Sequence, residues 1–463
     1  MARFSASKLR ALDRKHVWHP FTQMQDWMTE EFPVIRSAKG VWLRDVEGKK
    51  YLDGVSSLWC NVHGHRVSEI DRAVAGQLRQ VAHSTFLGLS NVPAIELAEK
   101  LAALAPRGLT RVFYSDSGSE AVEIALKIAF QYWRQAGCPQ KTKFVKLSQA
   151  YHGDTIGSVS VGGIDLFHRI YRPMLFRTFE APSPDPYRWP GSSDPARVMR
   201  EALAAMEAVF RRHRGRIAAL VMEPLMQGAA GMIRHPDGYL SRVRALTKRY
   251  GILLILDEVA TGFGRTGTMF ACERERVVPD LLAAAKGLTG GYLPLAVTLV
   301  NDKIFKAFLG KYEDFKAFFH GHTYTANPLA CRAALASLAL FRKKRVLEKL
   351  RPKIARLQKR LRDFYRLPIV GDVRQAGFMA GIELVRDRRT KAGFSAAENI
   401  GMRVTLKARE KGVILRPLGP VIVLMPPLGI SGRELERLLD VTYESIAEIS
   451  EIMTGRSEGG LGR

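Results

Sequence analysis

Cysteine is scarce in this chain of 463 residues: Cys60, Cys138, Cys272 and Cys331 are scattered and never form a C-x-x-C pair. The scarcity excludes a disulfide-stapled scaffold and argues against a zinc site, so no metal is expected, and a reducing compartment, the cytoplasm, is. Long apolar runs are missing too. None approaches the ~18 residues of a membrane-crossing helix, and the stretch MARFSASKLRALDRKHVW lacks the apolar segment of a secretory signal, so no membrane partner is expected. Acidic residues are in deficit, 45 against 71 Lys and Arg, for a formal net charge of +26. Such a balance raises nucleic acid as a partner. An RNP signature, a zinc finger or a basic run interleaved with aromatics would support it, and none is present. The excess therefore reads as solvated surface, with no specific nucleic-acid partner.

What is present suits a soluble globular chain, 46% hydrophobic and 25% charged, with room for about two or three domains. From Arg111 onward, strand-like runs (Val112–Tyr114, Phe144–Leu147, Ala218–Val221, Ile252–Leu256, Leu281–Ala285, Leu295–Val300) alternate with helical stretches. That alternation predicts an α/β fold, a large domain with a mostly parallel sheet flanked by helices. Residues 1–72 read as an N-terminal arm and part of a small domain, 73–330 as the large domain, 331–453 as a C-terminal small domain and 454–463 as a disordered tail. Within 68–105 the spacing puts Ile70, Val74, Leu78 and Val81 on one helical face. Pro182–Pro195 reads as a surface loop. The basic stretch 342–366 carries an apolar stripe at helical spacing, and Pro352 marks a break or kink in it.

The stretch Gly251–Lys286 concentrates the chemistry. Ile252–Leu256 is apolar without alternation, which predicts a strand buried on both faces, and Asp257 follows at its carboxyl end. Leu281–Ala285 is a second such run and stops at Lys286. A lysine at a sheltered strand end loses its proton readily and forms a Schiff base with an aldehyde, and a buried carboxylate keeps a pyridine nitrogen protonated. Pyridoxal phosphate needs both, so Lys286 and Asp257 suit that cofactor; a structural salt bridge is the plain alternative. Ser117 and Glu120 have capping-box spacing, which leaves the amides of Gly118 and Ser119 at the positive end of a helix, a place for a phosphate or simply a capped helix. Tyr151, before His-Gly-Asp154, could stack on a pyridine face or pack against the rim. Gly262-Phe-Gly-Arg-Thr-Gly267 matches G-x-G-x-x-G, yet four residues separate it from the strand, which argues against a dinucleotide. Arg416 could clamp a carboxylate or lie on the surface.

These segments in this order, with HVWHPFTQM, DGVSSLWCNVHGH, YHGDT, LDEVATGFGRTG, AAAKGLTGG, HGHTYTANPLAC and RPLG, resemble the class III, fold-type I pyridoxal-phosphate aminotransferases over nearly the whole chain. The resemblance implies a small α+β domain built from both termini and a homodimer with shared active sites. Lys286 becomes the Schiff-base lysine and proton carrier, Asp257 the pyridinium partner and Tyr151 the stacking ring. Gly118 and Ser119 become phosphate ligands, with Thr323 reaching in from a second subunit. Phe21, Trp59, Gly321 and Arg416 would bind small-molecule substrates, Arg416 through a carboxylate. Asp154 and Glu223 would stand beside the site with roles left open. Within the class the series is similar to the branch that aminates 8-amino-7-oxononanoate in biotin synthesis, with S-adenosylmethionine as the usual donor. Two features differ: Ala229 follows Gln227-Gly228, where the ornithine and GABA branches carry glutamate, and Leu58-Trp59 with Phe21 replaces a Trp-Trp pair and a tyrosine. The second departure resembles a branch that uses lysine as donor. Another class III ω-aminotransferase, acting on a diamine or β-amino acid, is the further alternative.

Overall fold

The computed structural model describes residues 5–455. A seven-stranded sheet lies at its centre, in the order Leu109–Ser115, Ala296–Asn301, Leu281–Ala284, Leu253–Asp257, Ile217–Met222, Lys143–Leu147, Phe179–Ala181. Only Ala296–Asn301 runs against its two neighbours; the other described pairs are parallel. The run Leu253–Asp257 shows why its sequence does not alternate. Leu253 and Ile255 enter one apolar cluster, with the helix Gly118–Gln135. Leu254 and Leu256 enter another, with Phe210, Tyr239 and Val243 from the helices Pro195–Arg212 and Tyr239–Tyr250. With both faces covered every position is apolar, and each fully buried leucine contributes roughly 1.5–3 kcal/mol.

Two four-stranded sheets and a two-stranded pair, Met226–Gln227 with Ile233–Arg234, accompany this one. Ile35–Lys39, Trp42–Asp45 and Lys50–Asp53 form an antiparallel meander, and Val413–Ile414, from near the other end of the chain, joins it in parallel, Val413 beside Leu52. Val370–Ala376, Met379–Leu384, Val421–Leu424 and Arg416–Leu418 make an antiparallel sheet. Among the described residues no helix is long and apolar enough to cross a membrane.

Several local expectations need correction. The helix Ser68–Leu78 ends before Val81, and Leu78 and Val81 are exposed while Ile70 is fully buried. Pro352 does not break its helix, which runs unbroken over Val346–Leu361; the interruption comes at Arg345, in the left-handed region at φ 49°. The first half of 182–195 is not surface: Ser183 and Asp185 are buried, and the Ser183 hydroxyl donates to Gln227 Oε1 at 2.5 Å. The basic face of Val346–Leu361 is partly neutralised, because Arg360 pairs with Asp440 at 2.7 Å and with Glu436, both on the last helix, Gly432–Thr454. That helix takes in Thr454, the expected first residue of the tail; 456–463 lie outside the described residues.

Candidate active site

Five strands deliver their carboxyl or outgoing ends to one edge of the central sheet. After Leu109–Ser115 come Asp116 to Ser119; after Lys143–Leu147, Tyr151 and His152; after Ile217–Met222, Glu223. Leu253–Asp257 ends on Asp257, and Leu281–Ala284 leads to Lys286. Side chains from all five line a cavity of about 390 Å³. This is the carboxyl edge at which open α/β sheets bind ligands.

Lys286 is half-buried and its backbone sits in the left-handed region at φ 44°. Burial lowers its pKa, against the raising pull of Asp257 and Glu223, so the neutral amine that attacks a carbonyl is more accessible than on a solvated lysine. Its Nζ lies 5.4 Å from the centre of the Trp59 ring. Asp257 is oriented from two sides: Oδ2 is 2.7 Å from His152 Nδ1, and Oδ1 accepts from the Val259 amide at 3.0 Å. His152 is buried, and its Nε2 has no partner among the described residues. The other side of the cavity is built around Glu223, whose carboxylate accepts from the Tyr151 amide at 3.2 Å and the Gly228 amide at 2.8 Å. Full burial, with Asp257 close by, drives its pKa up to about 7 against the lowering effect of His152 and the two amides.

The helix start is made as its sequence predicts, with both halves of the Ser117/Glu120 capping box formed. At Gly118 a Cβ would come within 2.6 Å of Val259, and at Gly153, φ +113°, within 2.4 Å of the Ser119 side chain. The Ser119 hydroxyl accepts from the Thr155 amide at 3.0 Å and lies 2.9 Å from Thr155 Oγ1. Only a chain without side chains at 118 and 153 leaves this cradle intact. Tyr151 donates its hydroxyl to Asp154 Oδ2 at 2.8 Å, and burial raises its pKa.

Of the residues singled out by sequence, Lys286, Asp257, Tyr151, Gly118, Ser119, Trp59 and Glu223 share the cavity. Phe21 and Arg416 do not line it. Phe21, 58% exposed, meets Phe167 edge-on at 5.3 Å, and Phe167 in turn lies 6.2 Å from Tyr151, so the ring stands at the mouth. Arg416 is half-buried on the strand Arg416–Leu418, near Tyr151; burial lowers its pKa, and no carboxylate among the described residues pairs with it. Gly321 and Thr323 are exposed and outside the cavity of their own chain. In the same segment His322 comes within 4.8 Å of ligand-type atoms of Asp116 and Glu120, but Glu120 already accepts from the amides of Asp116 and Ser117. The G-x-G-x-x-G loop is interior: Arg265 is fully buried and donates to the carbonyls of Pro426 at 2.6 Å and Trp59 at 3.2 Å.

Sequence reasoning missed His152, although it stands within the motif that drew attention to Tyr151. Its signal was available: two parallel strands, one followed by a short loop to Tyr151-His152 and one ending on Asp257, place an imidazole and a carboxylate at the same edge.

The family described as aminotransferase class-III matches residues 24–446. The adenosylmethionine-8-amino-7-oxononanoate aminotransferase of Nitratidesulfovibrio vulgaris is 57% identical over 98% of this chain and 84% of its own length. That of Geobacter sulfurreducens is 53% identical over 97% and 100%. The crystal structure of the Methanocaldococcus jannaschii adenosylmethionine-8-amino-7-oxononanoate aminotransferase superposes with a TM-score of 0.91 at 45% identity, covering 96% of this chain and 99% of that one. An (S)-enantioselective omega-transaminase from Thermomicrobium roseum gives 0.92 at 35%, covering 97% and 100%.

Proposed function

The chain belongs to the class III aminotransferase family, and from that membership we propose that it transfers an amino group to the keto carbon of 8-amino-7-oxononanoate, giving 7,8-diaminononanoate for biotin synthesis. It is a pyridoxal-phosphate enzyme of fold-type I. The observation that carries the site assignment is the half-buried lysine facing an aromatic ring in a cavity that also holds a histidine-oriented carboxylate and a glycine-opened helix start.

The residues fit the cofactor. The Gly118 and Ser119 amides at the helix start suit its phosphate, the Asp257 carboxylate, held by His152, suits a protonated ring nitrogen, and Tyr151 suits the ring face. When bound, pyridoxal phosphate supplies an aldehyde that captures amines and a ring that draws electrons from the substrate carbon. Lys286 Nζ takes the proton from the amine-bearing carbon of the donor, and in the second half of the cycle returns one to C7 of the acceptor. Arg416, with no carboxylate partner among the described residues, is suited to grip the acid end of a substrate in a bidentate pair. One lysine serving both halves predicts ping-pong kinetics.

We assign the donor role to S-adenosylmethionine, the compound in the names of the relatives. Lysine is the second reading, favoured by Leu58, 49% exposed, and by Phe21, a ring without a hydroxyl at the mouth. Mixing the loaded enzyme separately with each compound and following its visible absorbance decides: the true donor bleaches the band, and bleaching by lysine alone overturns the first reading.

The exposure of Gly321 and Thr323 supports a homodimer in which each chain completes the other's phosphate site. The parallel pairing of Val413 with Leu52 supports the small domain built from both ends of the chain, with the large domain spanning 73–330. Four unpaired cysteines support the cytoplasm.

A further inference from the structure

The segment that carries Trp59 into the cavity is strained. Ser56, Ser57 and Trp59 all lie in the left-handed region, at φ 51°, 61° and 66°, and none is glycine. Each such residue costs on the order of 1–2 kcal/mol and persists only where its surroundings over-determine it. What holds the turn is Asp53, the last residue of the strand Lys50–Asp53 and completely buried. Its Oδ1 accepts from the amides of Ser57 at 2.8 Å and Val55 at 3.3 Å, and its Oδ2 accepts from the Ser57 hydroxyl at 3.1 Å. The fourth contact, between Oδ2 and His65 Nε2 at 2.9 Å, ties the carboxylate to the scaffold. His65 is itself fixed by reciprocal backbone bonds with Gly40, 2.7 and 3.0 Å, and its Nδ1 lies 3.4 Å from Asn61 Nδ2. With Asn61 donating there, Nε2 is the protonated nitrogen and donates to Asp53.

A buried carboxylate whose lone pairs meet four donors is a rigid anchor, and charge-assisted bonds of this kind are the strong ones. Asp53 is not on the cavity wall; the residue it anchors is. Trp59 stands across from Lys286 and beside the Gly228 turn, where a Cβ at Gly228 would be 3.4 Å from the indole.

We propose that Asp53, backed by His65, is a positioning residue for the transamination: it holds the strained turn so that Trp59 forms the substrate-side wall of the cavity opposite Lys286. The inference rests on the substrate reading above only for the choice of acceptor. Lys286, Asp257, His152, Gly118 and Ser119 reach the site on other elements, so the effect belongs to substrate handling and not to cofactor loading.

The test is a double-mutant cycle on the loaded enzyme. Asp53→Asn keeps an oxygen for the amides and puts an NH₂ where the Ser57 hydroxyl and His65 need an acceptor. The expected result is a rise of about tenfold or more in KM for 8-amino-7-oxononanoate, the visible band of the loaded enzyme unchanged. Trp59→Ala should be impaired as well, and D53N should add less than about twofold to it, because residues acting as one unit are not additive. An equal loss from D53N in the wild-type and W59A backgrounds, or no loss in the wild type, overturns the proposal. Ser57→Ala, which deletes one of the four bonds, repeats the cycle at about threefold to fivefold should D53N fold poorly. A second readout needs no substrate: the Trp59 share of the fluorescence, taken against Trp59→Phe, should become more accessible to acrylamide in D53N and S57A, and unchanged quenching in both refutes the anchor. If the wild type leaves 8-amino-7-oxononanoate untouched, the substrate reading fails and the quenching result still decides for or against Asp53.

Discussion

Replacing Glu223 with glutamine should invert its effect on stability with pH. The carboxyl is fully buried, and its pKa rises from 4.5 to about 7, chiefly through desolvation. For an acid this sign means that the folded protein keeps a proton that the unfolded chain has already lost between those two values. Stability therefore falls as pH climbs through that window, by about 3 kcal/mol in all, and is level above it. Glutamine has no charge to desolvate, but it offers one oxygen where the Tyr151 and Gly228 amides use two; one lost bond costs about 1 kcal/mol. The variant should be less stable than the wild type by about 1 kcal/mol at pH 4.5, cross it near about pH 5 and exceed it by about 2 kcal/mol at pH 8. Urea unfolding of the cofactor-free protein across this range, with His152, Asp257 and Lys286 left intact, reads the difference directly. A difference that does not change with pH refutes the argument, and would mean that Glu223 is held charged by its neighbours throughout.

Lys286→Ala should lose turnover together with the visible absorbance of the loaded enzyme; normal turnover sinks the assignment. Because residue 286 lies at φ 44°, Lys286→Gly should in addition be about 1 kcal/mol more stable than the alanine variant by thermal unfolding. Gly153→Ala places a Cβ 2.4 Å from Ser119 at φ +113° and should cost about 2–3 kcal/mol, with a matching rise in the pyridoxal phosphate concentration needed for half-saturation; an unchanged titration would separate Ser119 from the phosphate. Arg416→Lys should raise KM for substrates with a carboxylate about tenfold and spare simple amines, which competition between the two substrate types measures.

Much of this site could be read in the sequence because it is written in short range. A capping box spans four residues, Ser117 to Glu120, and a doubly buried strand needs only its own unbroken run of Leu and Ile. The acid and the lysine stood out because each closes such a run. The Asp257–His152 contact joins residues 105 apart in sequence, so neither local pattern hints at the other unless the strands are first laid side by side. Helical periodicity likewise cannot say where a helix stops, which is why Val81 falls in the pattern of Ile70 although the helix has already ended at Leu78. Pro352 misled for a different reason: its rule describes a lost hydrogen bond, and the buried Leu350, Leu357 and Leu361 on the same helix supply packing that outweighs it. The buried Ser183 hydroxyl finds its partner in Gln227, on the short strand Met226–Gln227, 44 residues away in sequence. Gly321 and Thr323 cannot be placed in any site from one chain alone.

The reversed strand Ala296–Asn301 acts as a ruler. It sits between the strand that leads to Gly118 and the strand that leads to Lys286, setting them two steps, about 9.6 Å, apart. Running the other way, it brings to that edge only its incoming end, where Leu293, Pro294 and Leu295 form part of the cavity wall. Had it run with its neighbours, its outgoing connection would have entered the space between the Gly118 turn and the Lys286 amine. A single change of direction in the sheet thus keeps the space between the Gly118 turn and the Lys286 amine open.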